Sequence, residues 1–251
     1  MIIAQISDTH LDPEEPNGAE RIRALERCVD DINALGQLPD VVIHTGDLAH
    51  NGTPAKYDIA ARILGRLRCP FYVAAGNRDD RELLRRYFPP VREFLPETPY
   101  LQYSVDAYAV RLIALDTRSE TTNMGNFCDV RANSLRLALA EDSVRPTAIF
   151  MHHPPFEVTQ SKYTWQYDTR EAIALLASVL EGQAHVVRAF CGHAHRDATG
   201  IIANIPVSCI PSVAIDLRLE DFPEAVRAAP VYQIHKYDAD QGFVTETRVA
   251  R

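Results

Sequence analysis

Five apolar runs in this chain each stop abruptly at residues that can bind a cation. Met1–Ser7 runs into Asp8 and His10, Val41–Gly46 into Asp47, and Phe71–Gly76 into Asn77. Ala148–Met151 runs into His152, and Val186–Gly192 into His193 and His195. Runs of this length, rich in Val, Ile and Phe and bounded by Gly or Pro, read as buried strands. Strand ends in an α/β domain lie along one rim, which is where such folds place their chemistry. Ligands of mixed N and O type, delivered from several strands to one rim, suit a site that holds two metal ions.

The segments between the runs read as helices. In Ala19–Leu35, Ile22, Leu25, Val29 and Ile32 recur on one face. Thr53 and Pro54 open a second helix, with Tyr57, Ala60, Ala61 and Leu64 as its apolar side. Asp79–Phe88 reads as a third, highly charged helix, and Asp129–Ala140 and Thr169–Leu180 as two more. Leu101–Ser104 and Ala109–Asp116 suggest a hairpin turned at Asp106 and Ala107. Four further strands are expected at Thr199–Ala203, Pro206–Ile210, Val231–Tyr237 and Phe243–Val249. With 251 residues, no linker and no repeat, one α/β domain over 1–251 is expected, βαβ-like first and antiparallel later.

Composition removes several function classes. No apolar run approaches the roughly 20 residues needed to cross a bilayer. Asp8 and His10 interrupt the first apolar stretch before it can act as a signal peptide, so a cytoplasmic location is expected. The formal charge is −8 with no basic block, which disfavours long nucleic acids as partners. Five cysteines without C-x-x-C spacing argue against a disulfide framework or a zinc knuckle and read as small buried hydrophobes.

The clusters differ in specificity. Asp8-Thr9-His10 and His193-Ala194-His195 place ligands at i and i+2, on the same side of an extended segment. Asp47 offers two oxygens that can bridge two cations, and Asn77 adds a neutral amide oxygen. His152-His153-Pro154-Pro155 ends a strand with a histidine pair followed by two prolines, poor material for packing. Of that pair, His152 lies nearer the strand and is the expected ligand.

Taken together, Asp8-Thr9-His10, Gly46-Asp47, Gly76-Asn77, His152 and Gly192-His193-Ala194-His195 resemble the five signature blocks of the calcineurin-like metallophosphoesterases. The flanking residues resemble most the bacterial class III cyclic nucleotide phosphodiesterases and related glycerophosphodiesterases. The resemblance implies a four-layer αββα sandwich of two mixed sheets flanked by helices, with a binuclear site at the strand ends. It assigns Asp8, His10 and His195 to one ion, Asn77, His152 and His193 to the other, and Asp47 as the bridge. It also implies Fe, Mn, Zn or Co as the ions, a small phosphodiester as substrate (a cyclic nucleotide or a glycerophosphodiester), and a homodimer. Two cations about 3.5–4 Å apart would ionise a shared water for attack on phosphorus. A phosphomonoesterase or protein phosphatase of the same fold is the rival reading, and a non-catalytic metal-binding scaffold a further one.

One block departs from the family pattern. Gly76-Asn77-Arg78-Asp79 has arginine where relatives carry the histidine that protonates the leaving oxygen. A guanidinium does not give up a proton in a protein, but it presents a fixed fork to phosphoryl oxygens. Arg78 is therefore expected to bind substrate and stabilise the transition state, unless it faces solvent or pairs with Asp79 or Asp80. His153 and His50 are the candidates for the missing proton donor, and His50 also for orienting a ligand. Asp116 is read as a supporting or turn residue, and His44 as a satisfied core histidine. Phe156–Tyr167 holds Phe156, Tyr163, Trp165 and Tyr167 with Lys162. Tyr163 and Trp165 are expected to stack a nucleobase, or else the rings pack the loop or line a dimer contact. Asp216–Pro230 reads as a short cap or dimer element.

Overall fold

A computed structural model describes residues 1–90, 92–162, 164–219 and 222–251. Two mixed sheets form its middle. The first runs in the order β11-β10-β1-β2-β3, from β1 (Ile2–Ile6), β2 (Val41–His44), β3 (Phe71–Val73), β10 (Val231–Asp238) and β11 (Gly242–Val249). The second has the order β4-β5-β6-β7-β9-β8. Its strands are β4 (Tyr103–Val105), β5 (Arg111–Leu115), β6 (Thr147–Met151), β7 (Val186–Cys191), β8 (Ala198–Ile202) and β9 (Ile205–Cys209). β1, β2 and β3 are parallel neighbours, as are β5, β6, β7 and β9, while antiparallel strands close both edges of the second sheet and one of the first.

Side-chain alternation sorts the layers. In β5 and β6, Leu112, Ala114, Ala148 and Phe150 join the core that includes the first sheet. Their neighbours Ile113, Leu115, Ile149 and Met151 face the other way, into a core shared with α4 (Asp129–Glu141) and α5 (Arg170–Leu180). Period-two alternation with both faces buried requires apolar residues at every position, which is why these strands read as unbroken runs. α1 (Gly18–Asn33), α2 (Pro54–Leu64) and α3 (Arg81–Tyr87) pack Leu25, Val29, Ile32, Tyr57, Ala60, Leu64 and Leu84 into the first core. Polar ties cross between the sheets. Gln5 Nε2 donates to the Cys191 carbonyl at 2.9 Å, and Tyr103 bonds both backbone groups of Val73. The result is the αββα sandwich expected from the resemblance.

The helix expected from Asp79 begins at Arg81 instead. Asp80 caps it by accepting the Leu83 N–H at 2.8 Å, and Asp79 turns inward. Asp116 is a buried partner of Arg81 at 2.6 Å. All five cysteines are free, and Cys28, Cys191 and Cys209 are buried. Among the described residues, no helix is long and apolar enough to cross a membrane.

Candidate metal centre

Every parallel strand that ends in a ligand-type residue ends on the same rim. Asp8 follows β1, Asp47 β2, Asn77 β3, His152 β6, and His193 and His195 β7. The rim is built from backbone that turns sharply. Asp8, His10, Asp47, His193 and His195 have φ of 55°, 43°, 54°, 67° and 53°. Non-glycine residues rarely adopt such values, and backbone of this kind collects at functional sites. The i, i+2 pairs are therefore not extended, contrary to expectation; each pair converges because both members are left-handed. Close approach also needs glycine at two points. A Cβ on Gly192 would fall on the Ser7 hydroxyl and the Asp8 carboxylate, and one on Gly76 on the backbone nitrogen of Asp47.

The donor atoms form two groups. On one side His10 Nε2 and His195 Nε2 are 3.2 Å apart, and His195 Nε2 lies 3.2 Å from Asp8 Oδ1. On the other, Asn77 Oδ1 lies 3.0 Å from both His152 Nε2 and His193 Nδ1, which are 3.2 Å from each other. Asp47 Oδ2 stands between the groups, 3.5 Å from His10 Nε2 and 3.4 Å from His152 Nε2. Donors that share one ion at about 2.0–2.2 Å are separated from each other by about 3–3.5 Å.

Three further features fit a cation. The fully buried Asp8 Oδ1 has no hydrogen-bond donor, whereas its Oδ2 accepts from the Ser7 hydroxyl at 2.6 Å and the His193 N–H at 3.0 Å. A buried carboxylate oxygen without a donor needs a positive charge. His152 Nδ1–H donates to the Thr45 carbonyl at 2.8 Å and His195 Nδ1–H to that of Leu217 at 2.9 Å. Each bond selects the tautomer that leaves the Nε2 lone pair facing the centre. Charge balance points the same way. Burial alone would push Asp8 up, yet the neighbouring imidazoles, His195 foremost, hold it well below the usual carboxylate range. Burial opposes protonation of His152, but the Asp47 carboxylate raises it to about 9. The carboxylates thus draw a proton onto His152, which a bound cation would replace.

The remaining expected residues are placed as follows. Arg78 donates its backbone N–H to Asp47 Oδ1 at 2.7 Å, and its partly exposed side chain reaches Asn51 Oδ1 at 3.5 Å rather than an acidic partner. With His10, Asp47, Asn77, Asn123, His193 and His195 it lines a cavity of about 230 Å³ over the centre. His153 is fully buried, its Nε2–H donating to the Asn123 carbonyl at 3.2 Å and its Nδ1 accepting from Thr117 Oγ1 at 2.9 Å. Both ring nitrogens are thus hydrogen-bonded, and one of them lies within 4.8 Å of donor atoms of His152 and His193, beside the centre. His50 places Nδ1 3.4 Å from His10 Nδ1 and lies outside the cavity lining. His44 is buried and bonded to Thr9 at 3.1 Å, and burial depresses it to about 3.

The aromatic segment differs most from expectation. Phe156 and Tyr167 are core residues, Trp165 lies under the Arg170 guanidinium at 4.6 Å and outside the cavity lining, and Tyr163 lies outside the described residues. The bordering loop is Arg118–Asn126. Asp168 fastens it by accepting from Ser119 Oγ at 2.7 Å, Thr122 Oγ1 at 2.5 Å and Asn126 Nδ2 at 3.3 Å. Sequence reasoning missed this loop and also Asp79, whose carboxylate accepts from the backbone of Leu48, Ala49 and Gly76. An acid two residues past a ligand in a charged segment looks like surface, and only the paired Gly-Asp and Gly-Asn turns hint that something must tie them.

Residues 1–197 match the model of the calcineurin-like phosphoesterase family. The chain is 32% identical over 254 residues to a probable glycerophosphodiester phosphodiesterase of Arcobacter nitrofigilis, covering 98% of this chain and 92% of the relative. It is also 32% identical over 266 residues to a probable cyclic nucleotide phosphodiesterase of Rhodopseudomonas palustris, covering 96% and 90%. A dimetal phosphatase from Danio rerio superposes with a TM-score of 0.73 at 12% identity, covering 100% of this chain and 99% of that one, a likeness of fold. The chain belongs to the calcineurin-like phosphoesterase family.

Proposed function

We propose that this chain is a metal-dependent phosphodiesterase with a two-ion centre, acting on a small soluble phosphodiester. The observation that carries the reading is the position of Asp47 Oδ2 between two donor groups, 3.5 Å from His10 Nε2 and 3.4 Å from His152 Nε2. In this reading Asp8, His10 and His195 hold one ion, Asn77, His152 and His193 the other, and Asp47 both. The N/O donor set suits Fe, Mn, Zn or Co. When bound, such a pair supplies Lewis acidity and a water ionised near neutral pH.

The protein's own groups do the rest. Asn77 contributes a ligand oxygen without adding a third negative charge beside Asp8 and Asp47. The carbonyls of Thr45 and Leu217 hold His152 and His195 in register. The Arg78 guanidinium at the cavity mouth binds non-bridging phosphoryl oxygens, with Asn51 steadying it. Asn123, the other non-ligand residue in the lining, meets the part of the substrate that departs. Both relatives are named for small diesters, which favours a diester over a monoester. The reading extends to a cytoplasmic enzyme and, following the resemblance, a homodimer.

Manganese-reconstituted protein is expected to hydrolyse bis(4-nitrophenyl) phosphate with kcat/KM at least about tenfold above 4-nitrophenyl phosphate, roughly 1.4 kcal/mol of preference. Turnover of the monoester alone would transfer the reading to a phosphomonoesterase.

A further inference from the structure

One of the two donor groups is braced from behind by residues remote from it in sequence. Arg21, on α1, is buried although charged, and all three of its guanidinium nitrogens are engaged. Nη1 donates to the His10 carbonyl at 3.3 Å, while Nε and Nη2 grip Asp216 Oδ1 and Oδ2 at 3.1 and 2.7 Å. Burying a guanidinium is costly unless such partners are supplied, and a two-pronged grip fixes direction as well as distance. Asn17 Nδ2 adds a third donor to this carboxylate, 3.0 Å from Oδ2.

Asp216 stands in the middle of a single 3-10 turn, Ile215–Leu217, none of whose residues is buried. A lone turn of this kind is weak local structure. Yet its Leu217 carbonyl is the acceptor, at 2.9 Å, that orients the His195 imidazole. The flanking residues reach the same group of ligands. Ser212 Oγ donates to the Asp8 carbonyl at 2.7 Å, and the Leu219 N–H to the His195 carbonyl at 3.1 Å. His10 and His195 have φ of 43° and 53°, and left-handed backbone persists only where its surroundings hold it. Arg21 holds the carbonyl of one and Leu219 that of the other. The second donor group is held from the rim itself, His152 by the Thr45 carbonyl and the His193 N–H by Asp8 Oδ2.

We infer that Arg21 and Asp216 are positioning residues for one metal ion of the two, the ion assigned to Asp8, His10 and His195. The guanidinium couples the backbone of His10 to the turn that aims His195, so one salt bridge sets the separation of two imidazoles. Neither residue lines the cavity over the centre, so their effect passes through the ligands and not through substrate. The inference rests on the two-ion reading and deepens it, because it makes the two sites depend on different parts of the chain. The first residue of the segment 216–230 is thereby a brace of the rim.

The test is manganese binding to the chelator-treated full chain by calorimetry, with circular dichroism as the control for folding. Asp216→Asn keeps the size of the side chain and removes its charge, and Arg21→Lys keeps the charge and removes the fork. Each is expected to weaken one ion about tenfold or more and to leave the other within about threefold. Two backgrounds identify the ion. In His152→Ala the ion that stays is the one held by Asp8, His10 and His195, and adding Asp216→Asn should weaken it by about tenfold or more. In His195→Ala the other ion stays, and adding Asp216→Asn should change it by less than about threefold. Equal weakening of both ions, or of neither, overturns the inference, as does the reverse order in the two backgrounds. Should Asp216→Asn fail to fold, Arg21→Lys carries the same comparison. Wild-type protein that takes up a single ion overturns the two-ion reading instead. The positioning role then survives only if that ion is lost in His195→Ala and weakened in Asp216→Asn.

Discussion

Asp79 accepts the backbone N–H of Leu48 at 3.1 Å and thereby ties the loop after β3 to the loop after β2. The same carboxylate takes the N–H of Ala49 at 3.1 Å, the N–H of Gly76 at 3.0 Å and the Tyr57 hydroxyl at 3.0 Å. One buried side chain thus fixes the spacing between Asp47 and Asn77, which belong to different strands. In Asp79→Asn an amide NH₂ replaces one of the two oxygens that accept these donors. That change should cost about 1–3 kcal/mol in denaturant unfolding and weaken metal uptake. Unchanged stability with unchanged metal affinity would remove Asp79 from this role.

The charge balance of the centre predicts opposite pH behaviour with and without metal. Burial alone would lower His152, but Asp47 and Asp8 raise its folded value to about 9, above its unfolded 6.5. A histidine raised on folding stabilises fully below its unfolded pKa, and that contribution is lost as pH rises through the folded value. Metal-free protein should therefore lose of the order of 3 kcal/mol between pH 6.5 and 9, seen as a falling Tm in chelator. A bound ion needs the neutral imidazole, so its affinity should rise over the same interval. The Tm gap between loaded and metal-free protein should widen with pH; a constant gap contradicts the assignment of His152.

The expected strands and ligand-type residues were legible because they obey local rules. Strands buried on both faces must be continuously apolar, so β2, β5 and β6 stand out, and a Gly or Pro marks where several of them stop. What escaped the sequence depends on partners far along the chain. Asp168 holds Ser119 and Thr122 from 49 and 46 residues away, so no local pattern singles out the loop that borders the cavity. The left-handed backbone of His10 and His195 likewise has no glycine or turn motif to announce it. The aromatic loop illustrates the reverse error. Rings close in sequence to His152 suggested stacking on substrate, yet Phe156 packs on Gly200 and Tyr167 on His153, because a ring beside a core is stabilised most by entering it.

Asp47 is the residue whose removal should be felt by both ions. Asp47→Ala should reduce tightly bound manganese below one ion per chain by elemental analysis. It should also lower kcat/KM on bis(4-nitrophenyl) phosphate by about 10³-fold or more, the scale of several kcal/mol of lost charge stabilisation. The change also removes the acceptor of the Arg78 N–H and the carboxylate beside His152, so circular dichroism of the variant is the control that the fold is retained. Retention of two ions in the variant would show that the donor groups do not share this carboxylate.

Trp165 and Asn123 separate sequence proximity from spatial proximity. Trp165 lies 4.6 Å from the Arg170 guanidinium and outside the cavity lining, whereas Asn123 lines both the cavity over the centre and the one beside it. Trp165→Ala should cost about 0.5–1 kcal/mol of stability through the lost cation–π contact and leave kcat/KM within about twofold. Asn123→Ala should do the opposite. Its backbone carbonyl still accepts from His153 Nε2, so stability changes little while kcat/KM falls about tenfold, one lost hydrogen bond to substrate. The comparison needs only steady-state kinetics and thermal melts on the two variants. A larger kinetic effect from Trp165 than from Asn123 would return the substrate contact to the aromatic loop.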